Sequence, residues 1–127
     1  EEALVDARCQ VGQLAFISPH GSATQKGDRS ELNSIKALLQ GHTLPICGLK
    51  PYTGHMAAAS DIAETIMAIA ALRQGLVPAT LNYTTAERLF ANLNIPVVHT
   101  PAKGKTFLSV SYGIGGQSSA VVVEAVQ

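Results

Sequence analysis

Charge is scarce in this chain. Only 14% of its 127 residues are Asp, Glu, Lys or Arg, against about 25% in an average soluble domain. Nine basic and nine acidic residues cancel to a formal net charge of zero. That balance leaves no basic excess to neutralise phosphates, which argues against nucleic-acid binding as a main task. Disorder needs low hydrophobicity and high net charge, whereas 46% of these residues are hydrophobic. Cysteine is nearly absent. Cys9 and Cys47 are too few for a disulfide framework, and their spacing fits no zinc signature. Both read as reduced and buried, which suits a reducing cytoplasm. No apolar run reaches the roughly 18 residues of a membrane span, and no signal-peptide pattern opens the chain. The first residue is Glu1, not Met, as expected of a segment processed or cut from something longer.

What remains fits one domain. Val11 to Ile17 is a short continuous apolar run, the mark of a buried strand. Leu32, Ile35, Leu38 and Leu39 fall at helical spacing within Asp28 to Leu39, and Gly41 follows as a stop. Leu44 to Leu49 reads as a second strand. His55 to Gln74 is the strongest helix, apolar at every position from Ile66 to Leu72. A helix apolar all round is covered on all sides, and a domain this small has few layers to do it. Pro78 to Asn82 reads as an extended link. Asn94 to Thr100, Lys105 to Tyr112 and Ala120 to Val126 read as strands, the last two joined by a turn at Gly113 to Gly116. Strand, helix, strand, helix and a run of strands imply an α/β fold, parallel first and closed by an antiparallel hairpin.

Polar residues gather at element ends. His20-Gly21-Ser22-Ala23-Thr24 follows the first strand at its C-terminal end, where open α/β sheets place ligands. Asp28 and Glu31, three apart, share a helix face. Lys50-Pro51-Tyr52-Thr53-Gly54-His55 opens the buried helix, and a helix N-terminus disfavours an imidazolium there. Taken singly, each cluster has a plain reading. A histidine after a strand is most often a hydrogen-bonded structural residue. Gly113 to Gly116 precedes a strand, so it reads as a hairpin rather than a phosphate loop. No histidine–carboxylate pair matches a metal motif. His42 and His99 have no companions and read as structural or exposed.

The joint pattern says more. HGSATQKGDRSE, KPYTGHMAAASD and YGIGGQSSAVVVE occur in that order. They resemble the C-terminal half of a β-ketoacyl synthase, a condensing enzyme of fatty-acid and polyketide synthesis. That family carries H-G-T-x-T-x-x-x-D-x-x-E, then K-x-x-T-G-H-x-x-x-A-A-G, then a closing G-F-G-G-T-N turn. Here His20, Gly21, Thr24, Asp28 and Glu31 match the first motif. Lys50, Thr53, Gly54, His55 and Ala59 match the second. The likeness runs from about Gly12 to Glu124. Ser22 stands for a threonine, Ala23 for a glycine or serine, and Gln117-Ser118 for Thr-Asn. Tyr112 and Ile114 replace paired phenylalanines. Asp61 stands where glycine is usual and is expected to lie outside the reacting centre.

The resemblance implies a thiolase-like C-terminal half: a mixed five-stranded sheet with helices on both faces, one helix strongly buried. Residues 1–127 would form this domain without the half that bears the nucleophile. The implied activity is acyltransfer by decarboxylative Claisen condensation. His20 and His55 would be neutral donors to the malonyl thioester oxygen, and Lys50 would pair with Glu31. Asp28 and Thr24 would support the same turn. The Ile114 N–H would serve part of the acyl oxyanion hole, and Ile114, where the family places a gating phenylalanine, would form the oxyanion and gate segment with Tyr112 and Gly113. Neither cysteine lies in a nucleophile-elbow context, so the chain alone is not expected to complete a condensation. No metal or cofactor is implied. The implied partners are an acyl carrier protein bearing phosphopantetheine-linked acyl and malonyl groups, the missing half, and a second subunit in a homodimer or heterodimer. A non-catalytic chain-length or scaffolding subunit is the alternative.

Overall fold

The computed structural model describes residues 1–126. Helices α1 (Glu2–Asp6), α2 (Gln25–Leu39), α3 (Lys50–Thr53) and α4 (Ser60–Arg73) alternate with strands β1 (Phe16–Ser18), β2 (Leu76–Val77), β3 (Thr100–Pro101), β4 (Thr106–Tyr112) and β5 (Ser118–Glu124). Strand β1 pairs with β4 in parallel, Ile17 opposite Leu108. Strands β4 and β5 form the antiparallel hairpin, Thr106 opposite Glu124 through Tyr112 opposite Ser118. On the other side of β1, Ile17 bridges Ile46, and Pro45 bridges Asn94, both in parallel. The mixed sheet therefore spans five neighbouring segments, three as ladders and two as single bridges. Strands β2 and β3 form a separate antiparallel pair.

The shortened segments have physical causes. Pro45 and Pro96 lie in the segments expected as strands at 44–49 and 94–100, and each removes a ladder donor. Val97 and Val98 consequently face solvent. Residues 11–13 of the expected first strand turn as a 3-10 helix, closed by the Gln10 N–H donating to Gln13 Oε1 at 2.7 Å. The expected helix at 55–74 is divided. Gly54 ends α3 with φ of 76°, Ala57 also takes a positive φ, and α4 begins only at Ser60. The Met56 N–H donates to Ser60 Oγ at 2.8 Å, tying the connecting turn to that start. Helix α2 begins three residues before the expected Asp28.

Alternation along β1 and β4 feeds two cores. Phe16 and Phe107 join Cys47, Leu49, Ala68 and Leu72 on the α4 side. Ile17 and Leu108 join Leu14, Ile35, Leu39 and Ile46 on the α2 side. The Phe16 and Phe107 rings stack 5.2 Å apart and almost parallel. Helices thus cover both faces. Helix α4 buries one stripe, Ser60, Glu64, Ala68 and Leu72. Its opposite face leaves Ile62 68% and Ile66 61% exposed, an apolar surface of the kind that marks an interaction site. Val121 on the sheet-edge strand β5 is exposed as well.

Two of the buried residues in this region are charged. Lys50 Nζ lies 2.9 Å from Glu64 Oε1, and both side chains are over nine-tenths buried. The pair joins α3 to α4. This corrects the expected Lys50–Glu31 pair. Both Glu31 oxygens are occupied by backbone amides, from His20 at 2.7 Å and Gly21 at 2.9 Å. Glu64 lies on the buried stripe of α4, where Lys50 is its salt-bridge partner.

Two stability outcomes follow from this packing. Phe107→Ala is expected to cost about 3–5 kcal/mol, read from the denaturant midpoint of unfolding. Glu64→Leu strands a buried ammonium and is expected to cost about 3–5 kcal/mol. Adding Lys50→Met to that variant should recover most of the loss in the same measurement.

Candidate active site

The site forms where β1 ends. His20 leaves the strand's C-terminal end through Ser18-Pro19, and Gly21 turns the chain with φ of 52°. Two main-chain N–H groups, His20 and Gly21, have no strand partner there. Glu31, on the second turn of α2, accepts both. Burial raises the Glu31 pKa, while the two amide hydrogen bonds act against that rise. Glu31 therefore positions the histidine through its backbone rather than its ring.

His55 arrives from the loop between α3 and α4. The two imidazole centroids lie 5.7 Å apart, edge to face. Tyr112, at the end of β4, meets the other side of His20 at 5.9 Å. Burial pushes the His20 pKa below its ordinary value of 6.5, and the Lys50 ammonium pushes the same way. His55 also lowers it, while Asp61 and Asp28 oppose the shift. His55 does not open the long helix as expected, since α4 begins only at Ser60. Instead its Nδ1 accepts the Ala57 N–H at 3.1 Å, which makes Nε2 the ring's N–H donor in the neutral form. The His20 Nδ1 is buried without a hydrogen-bond partner among the described residues. The two rings therefore sit side by side at the mouth of the site, edge to face.

Two clefts meet at this pair. One, of about 540 Å³, is lined by Leu32, Ile46, Leu81, Tyr83 and Ile95 together with Asp28 and Lys50. The other, of about 820 Å³, is lined by His20, Ser30, Ser34, Asp61, Ser111, Tyr112, Gly113 and Ile114. His55, Ser22 and Glu31 line both. One approach is largely apolar and the other rich in hydroxyls.

The remaining sequence candidates fall around the clefts. Thr24 precedes α2 at its N-cap position, but its Oγ1 meets Ser22 Oγ at 2.9 Å rather than a helix N–H. Gly27 leaves room for that hydroxyl pair, since a Cβ there would lie 2.5 Å from Thr24 Oγ1. Asp28 Oδ1 is buried and unpartnered among the described residues. Gly113 closes the hairpin by donating to the Gln117 carbonyl at 2.8 Å. Ile114 is fully exposed at the tip, and its N–H has no partner among the described residues. Burial in the apolar core pushes the Cys47 thiol up to about 12, and Cys9 is only partly buried. His99 Nδ1 accepts the Ala79 N–H at 3.2 Å, a structural use.

Sequence reasoning missed Asp61, which lines this site, and Glu64, the buried partner of Lys50. Glu64 carried one usable signal, its four-residue spacing from Ala68 and Leu72 on the same helix stripe. Asp61 was expected outside the reacting centre. It lines the histidine cleft instead, and its Oδ2 accepts the Ser111 Oγ–H at 2.6 Å.

Comparison with known proteins agrees with this geometry. The family model described as "Beta-ketoacyl synthase, C-terminal domain" matches residues 1–84. The tetracenomycin polyketide synthase ketoacyl synthase alpha subunit of Streptomyces glaucescens is 32% identical over 123 residues, 95% of this chain and 29% of that protein. The 3-oxoacyl-(acyl-carrier-protein) synthase 1 of Escherichia coli is 28% identical over 110 residues, 87% of this chain and 27% of that protein. The chain thus spans under a third of the length of the curated relatives it matches. A type II polyketide ketosynthase, solved in complex with its acyl-carrier protein and bound to a hexaketide, superposes with a TM-score of 0.89 at 34% identity. That match covers 98% of this chain and 31% of the other. A β-ketoacyl synthase from Burkholderia phymatum gives the same TM-score at 26% identity, again over 98% of this chain and 31% of that one. The α/β sheet with its two helical faces is the ketosynthase fold, and because the family model spans most of the chain, both histidine motifs included, the chain belongs to the β-ketoacyl synthase C-terminal domain family.

Proposed function

We propose that the chain is the C-terminal half of a 3-oxoacyl-acyl-carrier-protein synthase, and that it supplies the decarboxylation site. The observation that carries this reading is the contact between His20 and His55, with His20 biased toward its neutral form by burial and Lys50. A malonyl thioester that loses CO2 leaves its bonding electron pair on the thioester, and negative charge collects on the carbonyl oxygen. Two neutral N–H donors stabilise that oxygen where the charge develops. The resulting carbanion attacks an acyl thioester, forming the new C–C bond and releasing the thiolate that carried the acyl group. We place that thiolate on the other half of the protein: burial makes Cys47 hard to ionise, and Cys9 lines neither cleft.

The supporting residues have separate tasks. Lys50 holds its charge against Glu64 and disfavours a second positive charge on His20. Glu31 fixes the His20–Gly21 backbone. Asp28 and Thr24 frame the same turn. The Ile114 N–H is free for the acyl oxyanion, with Gly113 and Tyr112 setting where the hairpin tip lies. The other half would cover Ile62 and Ile66 on α4. An acyl carrier protein would deliver both substrates on phosphopantetheine, in a homodimer or heterodimer, in the cytoplasm. Retention of both histidines and of the buried ion pair favours this reading over a chain-length or scaffolding subunit, which has no chemical use for them.

The test is malonyl-carrier decarboxylation by the whole protein. His20→Ala and His55→Ala are each expected to slow it roughly 100- to 1000-fold, while the nucleophile elsewhere remains acylated normally. Decarboxylation at the unaltered rate in either variant would remove that histidine from the role.

A further inference from the structure

Asp61 is the unexpected member of the histidine cleft. It replaces the glycine of the family motif, so it brings both a carboxylate and a side chain to a place that ordinarily has neither. Its Oδ2 lies 2.6 Å from Ser111 Oγ, within the short range of O–H···O⁻ bonds. Asp61 is in the first turn of the fourteen-residue helix α4. Ser111 directly precedes Tyr112, the residue whose ring meets His20. The hydrogen bond therefore spans from α4 to the strand end that carries Tyr112 and, two residues on, the hairpin tip at Ile114. All five residues line one cleft.

We propose that Asp61 is a positioning residue of this cleft: through Ser111 it fixes the end of β4 against α4, and it presents a fixed negative charge to the His20 ring. The inference rests on the reading of His20 as the neutral donor. The charged and titratable groups facing that ring come from every element around it. Asp28 and Glu31 come from α2, Lys50 from α3, His55 from the following loop, Asp61 from α4 and Tyr112 from β4. Lys50 disfavours the imidazolium, and Asp61 favours it. The two charges oppose each other, so the pH at which His20 takes up a proton reflects their balance. A glycine at position 61 would leave Lys50 with one fewer opponent and the strand end without its tie.

Two substitutions separate the charge from the tie. Asp61→Asn keeps an acceptor for Ser111 but removes the negative charge. Ser111→Ala keeps the charge and removes the hydrogen bond. The readouts are the His20 ring titration by NMR and amide exchange at 113–116, both in the whole protein. Asp61 raises the His20 pKa, so Asp61→Asn should move its titration midpoint to lower pH. The acid limb of malonyl decarboxylation should move the same way, because His20 then stays neutral further into acid. Ser111→Ala should speed amide exchange at the hairpin. An unmoved His20 midpoint in Asp61→Asn overturns the charge role, and unchanged hairpin exchange in Ser111→Ala overturns the tie. Neither readout requires turnover, so loss of the proposed catalytic role of His20 would leave both interpretable.

Discussion

One buried carboxylate, Glu31, holds the turn on which the site depends. Strand β1 ends at Ser18, and the next turn leaves two amide N–H groups without a sheet partner. Unpaired amides of this kind are costly when buried. The two oxygens of Glu31 satisfy one each. Hydrogen bonds to a charged group contribute about 1.5–3 kcal/mol apiece, enough to hold a backbone that must also place Gly21 and Ala23 at positive φ. The helix that carries Glu31 is anchored by Ile35 and Leu39 in the core beneath the sheet. Core packing, helix position and histidine position are therefore linked through one side chain.

The second constraint is electrostatic. The two neighbouring histidines lie among carboxylates and a lysine. Lys50 is buried against Glu64, and its field, with burial, lowers the affinity of His20 for a proton. Asp61 and Asp28 pull the other way. The arrangement resolves this contest by distance and partnership. Asp61 is engaged by Ser111, and the Lys50 charge is fixed by its ion pair.

Much of the fold was legible because its signals are local. The hairpin of β4 and β5 follows from two apolar runs flanking Gly113 to Gly116, and the glycines at 115 and 116 do take positive φ. Helix α2 follows from Leu32, Ile35, Leu38 and Leu39. The segments at 44–49 and 94–100 were legible as members of the sheet but not as single bridges, because a proline's missing donor matters only once its neighbours in space are known. The split between α3 and α4 was hidden for a similar reason. Ala57 has no local preference for positive φ, and the turn there is held by contacts with His55 and Ser60 that show only in the folded chain.

The sequence by itself determined the family, through motif residues whose order and spacing survive without any coordinates. It also singled out His20 and His55, and the lack of a nucleophile-elbow context around Cys9 or Cys47, since each depends on residue type and immediate neighbours. Tertiary structure alone decided the partners. Glu31 binds amides and not Lys50, Lys50 binds Glu64, and Asp61 enters the cleft to meet Ser111, fifty residues away. Charges attract over distances that only folding sets, so identity could be read along the chain, while pairing had to be read across it.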